Sequence, residues 1–210
     1  MRLDKFLADM GLGSRKEVKG LIKKGTIEVN GQVVKSDKAQ VNEFEDTVTY
    51  LGEIIAYQKD FYYILHKPAG VISATQDNHD QTVIDLLEDQ DYREDLFPVG
   101  RLDKDTEGLL ILTNDGVFAH QLLSPKKHVE KEYLAEVNGI MTEEDIRLFA
   151  EGLIIDGDEQ TLPAKLQIDQ VDQESETSII RLILHEGKFH QVKRMVKAVG
   201  KEVLYLKRIR

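Results

Sequence analysis

Apolar residues recur at helical spacing from the first turn of the chain, at Leu3, Phe6, Leu7 and Met10, which predicts a helix over residues 2–10. The break Gly11-Leu12-Gly13-Ser14 stops that helix and supplies the N-cap of another. Ser14 followed three residues later by Glu17 fits a capping box for a second helix over residues 15–24, closed by Gly25. Val18, Leu21 and Ile22 form its apolar side, and Arg15, Lys16, Lys19 and Lys23 fall mainly on the other. Residues 26–29 and 32–34 then flank Asn30-Gly31, the strongest short hairpin signal. Two helices and a hairpin make a small α+β unit, assigned to residues 1–58.

Residues 39–60 carry short strand-like alternations and read as the join to a second unit, residues 59–210. There the pattern changes. FYYIL, residues 61–65, reads as a buried strand running into a turn punctuated by Pro68 and Gly70. An acidic, mobile loop with a short helix at VIDLL, residues 83–87, leads to the apolar strand LLILT, residues 109–113. The turn Asn114-Asp115-Gly116 and a helix over 117–123 follow. EYLAEV (132–137) and SIIRLIL (178–184) read as strands, with a helix between them from an N-capping Thr142 to Gly152. In the last helix Val192, Met195, Val196 and Val199 share one face, while Lys193, Lys197 and Lys201 are spaced by four on another. The chain stops at LYLKRIR, inside what reads as a strand, and the sequence leaves open whether it extends beyond Arg210. No internal repeat is present. Strands and helices without regular alternation favour an α+β fold, with a largely antiparallel mixed sheet flanked by helices.

Composition narrows the function classes. With 41% hydrophobic and 31% charged residues and only 4 Pro, the chain reads as soluble and globular. It has no Cys, which excludes disulfides, thiolate nucleophiles and cysteine zinc sites and suits a reducing cytoplasm. No apolar run reaches the length of a signal core or a membrane span, so neither export nor a membrane is expected. The net charge of −10 argues against a nucleic-acid partner until its distribution is examined. Residues 1–38 hold nine Lys and Arg against five Asp and Glu, and residues 185–210 hold eight against two; residues 61–184 hold ten against twenty-six. Basic ends framing an acidic middle point towards RNA.

The segment GRLDKDTEGLLILTNDG, residues 100–116, gathers Arg101, Asp103, Lys104, Asp105 and Glu107 in a glycine-bracketed turn at the edge of an apolar strand. An exposed acidic turn would carry the same letters. Asp103-Lys104-Asp105-Thr106 also matches the Asp-x-Asp-Thr of haloacid-dehalogenase phosphatases. In those enzymes the motif follows a buried strand, whereas Pro98-Val99-Gly100-Arg101 stands here. The six histidines, at 66, 79, 120, 128, 185 and 190, show no metal-ligand spacing, so no metal is expected. For His190 a structural hydrogen bond is favoured over positioning the final helix or contacting phosphate. No phosphate-cradling glycine loop or dinucleotide fingerprint is present, and no cofactor is expected.

Two resemblances sharpen this reading. RLDKFLADMGLGSRKEVKGLIKKGTIEVNGQVV resembles the S4 RNA-binding domain, which implies RNA contacts at Arg2, Arg15, Lys16, Lys19 and Lys23. GRLDKDTEGLLILTNDG, with HKPAGVIS (66–73), KEYLAEV (131–137) and EGKFHQVKRM (186–195) in the right order, resembles the pseudouridine synthases. The arrangement is closest to the branch that contains the small-subunit (16S) ribosomal RNA enzyme and its large-subunit relatives. The resemblance implies that Asp103 is the catalytic carboxylate and that Tyr133 stacks beneath the target base. It further implies that Lys193 pairs with Asp103, that Arg101 displaces the base from its helix, and that Arg194 contacts RNA. Many relatives carry Arg at the position of Lys193, and Lys cannot offer the same bidentate fork, although it can still keep a half-buried Asp ionised. The implied substrate is ribosomal RNA, with 16S favoured over 23S, acted on by a monomer without a cofactor. A non-catalytic RNA-binding or ribosome-assembly protein is the alternative that the S4-like module and the basic ends leave open.

Overall fold

This computed structural model describes residues 1–124, 127 and 129–210; His128, one of the six histidines above, lies outside them. The chain divides into two compact units, Met1–Phe61 and Tyr62–Arg210.

In the first unit, helices α1 (Leu3–Asp9) and α2 (Arg15–Lys24) precede strands β1 (Ile27–Val29), β2 (Gln32–Val33), β3 (Val48–Tyr50) and β4 (Glu53–Ile55). The capping box forms in both directions: Ser14 Oγ accepts from Glu17 N, and the Glu17 carboxylate accepts from Ser14 N at 2.7 Å. Gly25 ends α2 in the left-handed conformation at φ 75°. Asn30 and Gly31, both at positive φ, turn β1 into β2. The order β2-β1-β3-β4 shows that residues 48–55 are sheet strands of this unit and not a connecting segment. Their brevity hides them in the sequence, since three residues hold barely one period of alternation. Leu3, Phe6, Leu7, Val18, Ile22, Ile27, Val41 and Val48 are buried together. Each large aliphatic side chain so buried contributes roughly 1.5–3 kcal/mol.

The second unit contains β5 (Tyr62–Lys67), a 3-10 turn at Ile84–Leu86, β6 (Phe97–Pro98), β7 (Glu107–Thr113), α3 (Gly116–Leu123), β8 (Lys131–Asn138), α4 (Glu143–Glu151), β9 (Ile154–Ile155), β10 (Glu159–Gln160), β11 (Lys165–Asp172), β12 (Thr177–Leu184), α5 (Gln191–Ala198) and β13 (Glu202–Arg208). Its main sheet runs β11-β12-β8-β13-β7-β5, with β6 added against β7. Every pairing is antiparallel except β13 with β7, so the expected α+β class with a largely antiparallel mixed sheet is the one observed. Ala135, Val137, Ile180, Leu182 and Leu206 face Phe149 of α4 and Val192, Met195 and Val196 of α5 in one core.

Two expectations are corrected. The run FYYIL is not a fully buried strand: β5 is at the sheet's edge, and Ile64 is 79% exposed. Apolar residues occupy both of its faces, which conceals the alternation. Lys201 lies beyond the end of α5 and bonds Asp145 Oδ1 at 3.1 Å, so it does not extend a lysine row on that helix. Strand β11, for which the sequence reading made no assignment, is an edge strand.

One glycine is indispensable to the architecture. Gly108, at φ 109°, lies so close to β13 that an added Cβ would stand 2.1 Å from the Arg208 carbonyl oxygen. Only a residue without Cβ admits this approach of β13 to β7, and with it the register Lys207–Glu107 and Arg208–Gly108.

Candidate active site

The loop before β7 is fixed by the segment that follows β5. Leu102 N donates to Ser73 Oγ at 3.0 Å, and Ser73 Oγ donates back to Leu102 O at 3.0 Å, pinning the residue before Asp103. Gly70 N donates to Lys104 O at 2.7 Å. Lys67, fully buried, directs its ammonium at three backbone carbonyls: Pro68 at 2.9 Å, Thr106 at 2.9 Å and Lys104 at 3.3 Å. Burial pushes the Lys67 amine below its ordinary pKa, partly opposed by Asp105, Asp103 and Glu107. Within the loop, Thr106 N closes a turn on Asp103 O at 3.0 Å. The side chain of residue 103 therefore leaves a backbone held from two sides.

That side chain meets an ammonium and an imidazole at the start of α5. Lys193 Nζ lies 3.4 Å from Asp103 Oδ2, and His190 Nε2 lies 3.4 Å from Asp103 Oδ1. Lys193 also donates to Asp105 Oδ1 at 2.6 Å, so the expected partner of Asp103 is shared with its neighbour. The Lys193 bond holds the Asp105 carboxyl below the usual carboxylate range. The Asp103 carboxylate is 24% exposed and the Asp105 carboxylate 73%. Asp103 is thus the half-buried member of the pair, and the low local dielectric strengthens any charge it meets. His190 adopts the left-handed conformation at φ 47° and stacks on Phe189 with ring centroids 3.7 Å apart.

A cleft with about 440 Å³ of free space opens beside these groups, lined by Arg101, Asp103, Thr106, Tyr133, His190 and Leu206 among others. Tyr133 comes from the core-facing side of β8, two residues before the buried Ala135, and its ring rests against the main core. Its hydroxyl makes no hydrogen bond to a described residue. Arg101 is exposed at the rim, with no ion pair among the described residues. Carboxylate, cation, aromatic face and exposed guanidinium converge here from three places in the sequence, around residues 101–103, 133 and 190–193.

The remaining basic residues divide differently. Arg194 is engaged by Asp156 and Glu159 and donates to Phe189 O at 2.9 Å, tying α5 to the turn between β9 and β10 rather than facing the cleft. In the first unit Arg2 is held by Asp4 at 2.8 Å and Asp37 at 3.5 Å, and Lys19 by Asp37 at 3.5 Å. Arg15, Lys16 and Lys23 are exposed and make no ion pair with a described residue. Sequence reasoning gave Lys67 and Ser73 no role of their own within HKPAGVIS, gave His190 only a structural bond, and left Asp105 in the acidic turn without a role. For Lys67 the usable signal was a lysine standing between an apolar strand and a Pro-Ala-Gly turn.

Comparison with known proteins bears on what this cleft does. Residues 61–198 match the family described as RNA pseudouridylate synthase, and residues 1–48 match the S4 domain. An uncharacterized RNA pseudouridine synthase of Bacillus subtilis is 50% identical over 209 residues, spanning 100% of this chain and 87% of that protein. The ribosomal large subunit pseudouridine synthase B of Bacillus subtilis is 41% identical, spanning 99% and 84%. The ribosomal small subunit pseudouridine synthase A of Vibrio cholerae is 39% identical, spanning 100% and 88%. Among solved structures, the crystal structure of a pseudouridylate synthase superposes with a TM-score of 0.64 at 34% identity, covering 99% of this chain and 87% of that one.

Proposed function

Because this chain belongs to the RNA pseudouridine synthase family, we propose that it isomerises a uridine of ribosomal RNA to pseudouridine in the cleft beside Asp103. The observation that carries the assignment is the half-buried Asp103 carboxylate, placed between Lys193 and His190 at the mouth of a cleft that Tyr133 also lines. The similarity to a large-subunit synthase (41%) and to a small-subunit synthase (39%) is nearly equal, so ribosomal RNA is the substrate class it supports.

A uridine paired in a helix must first leave its stack, at a cost on the order of a few kcal/mol. The unpaired guanidinium of Arg101 is placed to fill the space the base vacates, and the Tyr133 ring offers it a new stacking surface. The bond from uracil N1 to the ribose then breaks, and a bond from uracil C5 to the same carbon replaces it, with the C5 proton released and N1 protonated. Positive charge grows on the ribose as the first bond breaks, and an ionised carboxylate at that point lowers its energy. Lys193 and His190, each 3.4 Å from one of its oxygens, hold the Asp103 carboxylate in orientation. Atoms and electrons balance within the nucleoside, so the change consumes no cofactor.

The S4-like unit supplies RNA affinity through the exposed Arg15, Lys16 and Lys23. Their counterparts Arg2 and Lys19 are already paired with aspartates and contribute less. The protein acts as a monomer in the cytoplasm on this reading.

The purified full chain should form pseudouridine in an unmodified ribosomal RNA transcript, mapped for both subunits, and Asp103→Asn should form none. Full activity in Asp103→Asn removes that residue from the chemistry. No pseudouridine from the wild type, on either transcript or on pre-ribosomal particles, overturns the function.

A further inference from the structure

A second cleft, with about 620 Å³ of free space, adjoins the first and shares Arg101, Tyr133 and Gly187 with it. Its character is different. Lys131 and Tyr133 are two residues apart on β8 and project from the same face, and Arg208 of β13 is the register partner of Tyr133. The three side chains therefore stand in one patch on the core-facing side of the sheet, past the region that the helices cover.

Neither cation has a carboxylate partner among the described residues. Arg208 is only 9% exposed, and its Nε donates to the Leu109 carbonyl at 2.7 Å. Lys131 donates to the Val129 carbonyl at 3.1 Å. The one acid lining this cleft, Glu186, is taken up by Leu162 N at 2.8 Å and Gln191 Nε2 at 2.6 Å. Burial, with Arg208 nearby, pushes the Lys131 amine below its ordinary pKa. A structural role for Arg208 as a clamp on β7 accounts for one of its five N–H groups. It does not account for a second half-buried cation alongside. Two like charges withdrawn from water with only neutral partners are costly, and an anion bound between them relieves both desolvation and repulsion.

We propose that Lys131 and Arg208 form a phosphate subsite, which grips a backbone phosphodiester of the RNA strand adjoining the nucleotide stacked on Tyr133. This rests on the reading of the Asp103 cleft as the place of uridine isomerisation. Arg101, at the rim of both clefts, lies where the strand passes from one to the other. Two fixed cations on strands of the central sheet set the strand's register, so that the nucleotide reaching Asp103 is chosen by distance along the backbone as well as by its base.

The test uses the full chain carrying Asp103→Asn, which binds RNA without turnover. Its affinity for an unmodified ribosomal RNA transcript is measured across a range of salt, alone and with Lys131→Gln, Lys131→Arg or Arg208→Gln added. Loss of one phosphate contact lowers the slope of log Kd against log salt by about 0.7–0.9. Lys131→Gln and Arg208→Gln should each show that loss with about tenfold weaker binding at low salt, and Lys131→Arg should restore both. Should Arg208→Gln fail to fold, the two Lys131 variants decide. Unchanged slopes and affinities overturn the subsite. Inorganic phosphate forms a parallel arm at constant ionic strength. If it raises the melting temperature of the parent but not of Lys131→Gln while RNA slopes stay equal, the site takes a free anion and the strand assignment is overturned. Wild-type enzyme assayed beside these separates the two readings. Active enzyme with unchanged slopes defeats the subsite alone, and inactive enzyme defeats the isomerase reading beneath it.

Discussion

The ammonium of Lys193 lies 2.6 Å from Asp105 Oδ1, in the loop whose Thr106 carbonyl accepts from Lys67. The same ammonium is 3.4 Å from Asp103 Oδ2, so one cation spans two carboxylates of a single turn. Asp105 is mostly in water and Asp103 mostly out of it, which gives the two acids different uses for one partner. An exposed pair adds little to stability. What Asp105 adds is a second anchor that sets where the ammonium stands relative to Asp103.

Removing that anchor should alter catalysis more than folding. Asp105→Asn is expected to lower single-turnover rate roughly tenfold, within the range for a lost charge-assisted hydrogen bond, with a melting temperature close to wild type. Lys193→Met should lose more, because Asp103 then keeps only His190 beside it. Lys193→Arg should retain most activity, since a guanidinium reaches both acids. A fully active Lys193→Met would show that the cation is dispensable.

Tyr133 separates stacking from hydrogen bonding. Its hydroxyl has no partner among the described residues, so Tyr133→Phe should stay within a few-fold of wild type. Tyr133→Ala should forfeit a base-stacking contribution of about 1–3 kcal/mol, read as a loss in kcat/KM on the same transcript. Equal damage from both variants would mean that the hydroxyl, not the ring, matters.

Lys67 gives a prediction with a pH signature. Lys67→Met leaves three carbonyls of the loop without their donor, at about 1–3 kcal/mol for buried groups so abandoned, and should lower kcat with little change in KM. The wild-type amine is more acidic folded than its ordinary value of 10.5. The unfolded chain therefore holds more protons in the interval below 10.5, and folding stability rises with pH there. Urea midpoints of wild type compared with Lys67→Met, taken from neutral pH upward, should show wild type gaining on the variant. A difference flat in pH would contradict the assigned cause.

Gly108 and Gly116 form a matched pair. Gly108→Ala brings a Cβ into the Arg208 backbone at positive φ and should destabilise by roughly 3 kcal/mol or more, or leave the chain insoluble. Gly116→Ala, at the start of α3 with nothing within 4 Å of the added carbon, should melt within a few degrees of wild type. Thermal melts of the two side by side suffice.

The amino-acid sequence alone determined whatever is settled over a few neighbouring residues. The capping box at Ser14 and Glu17, the stop at Gly25, the Asn30-Gly31 turn and the apolar faces of α2 and α5 are local energies, and a local pattern reports them. The ordered motifs around Asp103, Tyr133 and Lys193 were legible in the same way, as were the family and the class of chemistry they imply. Strands of two or three residues, such as β3, β4 and β9, were not, because they exist only through their partners. Tertiary structure alone decided that Lys193 divides itself between two acids and that a buried Lys67 supports the catalytic loop. It also decided that Arg208 stands opposite Tyr133. Each of these depends on the register of strands far apart in the chain, β13 meeting β7 and β8 across about a hundred residues for β7. Such a register is set by the packing of the whole sheet, and no short stretch of sequence records it.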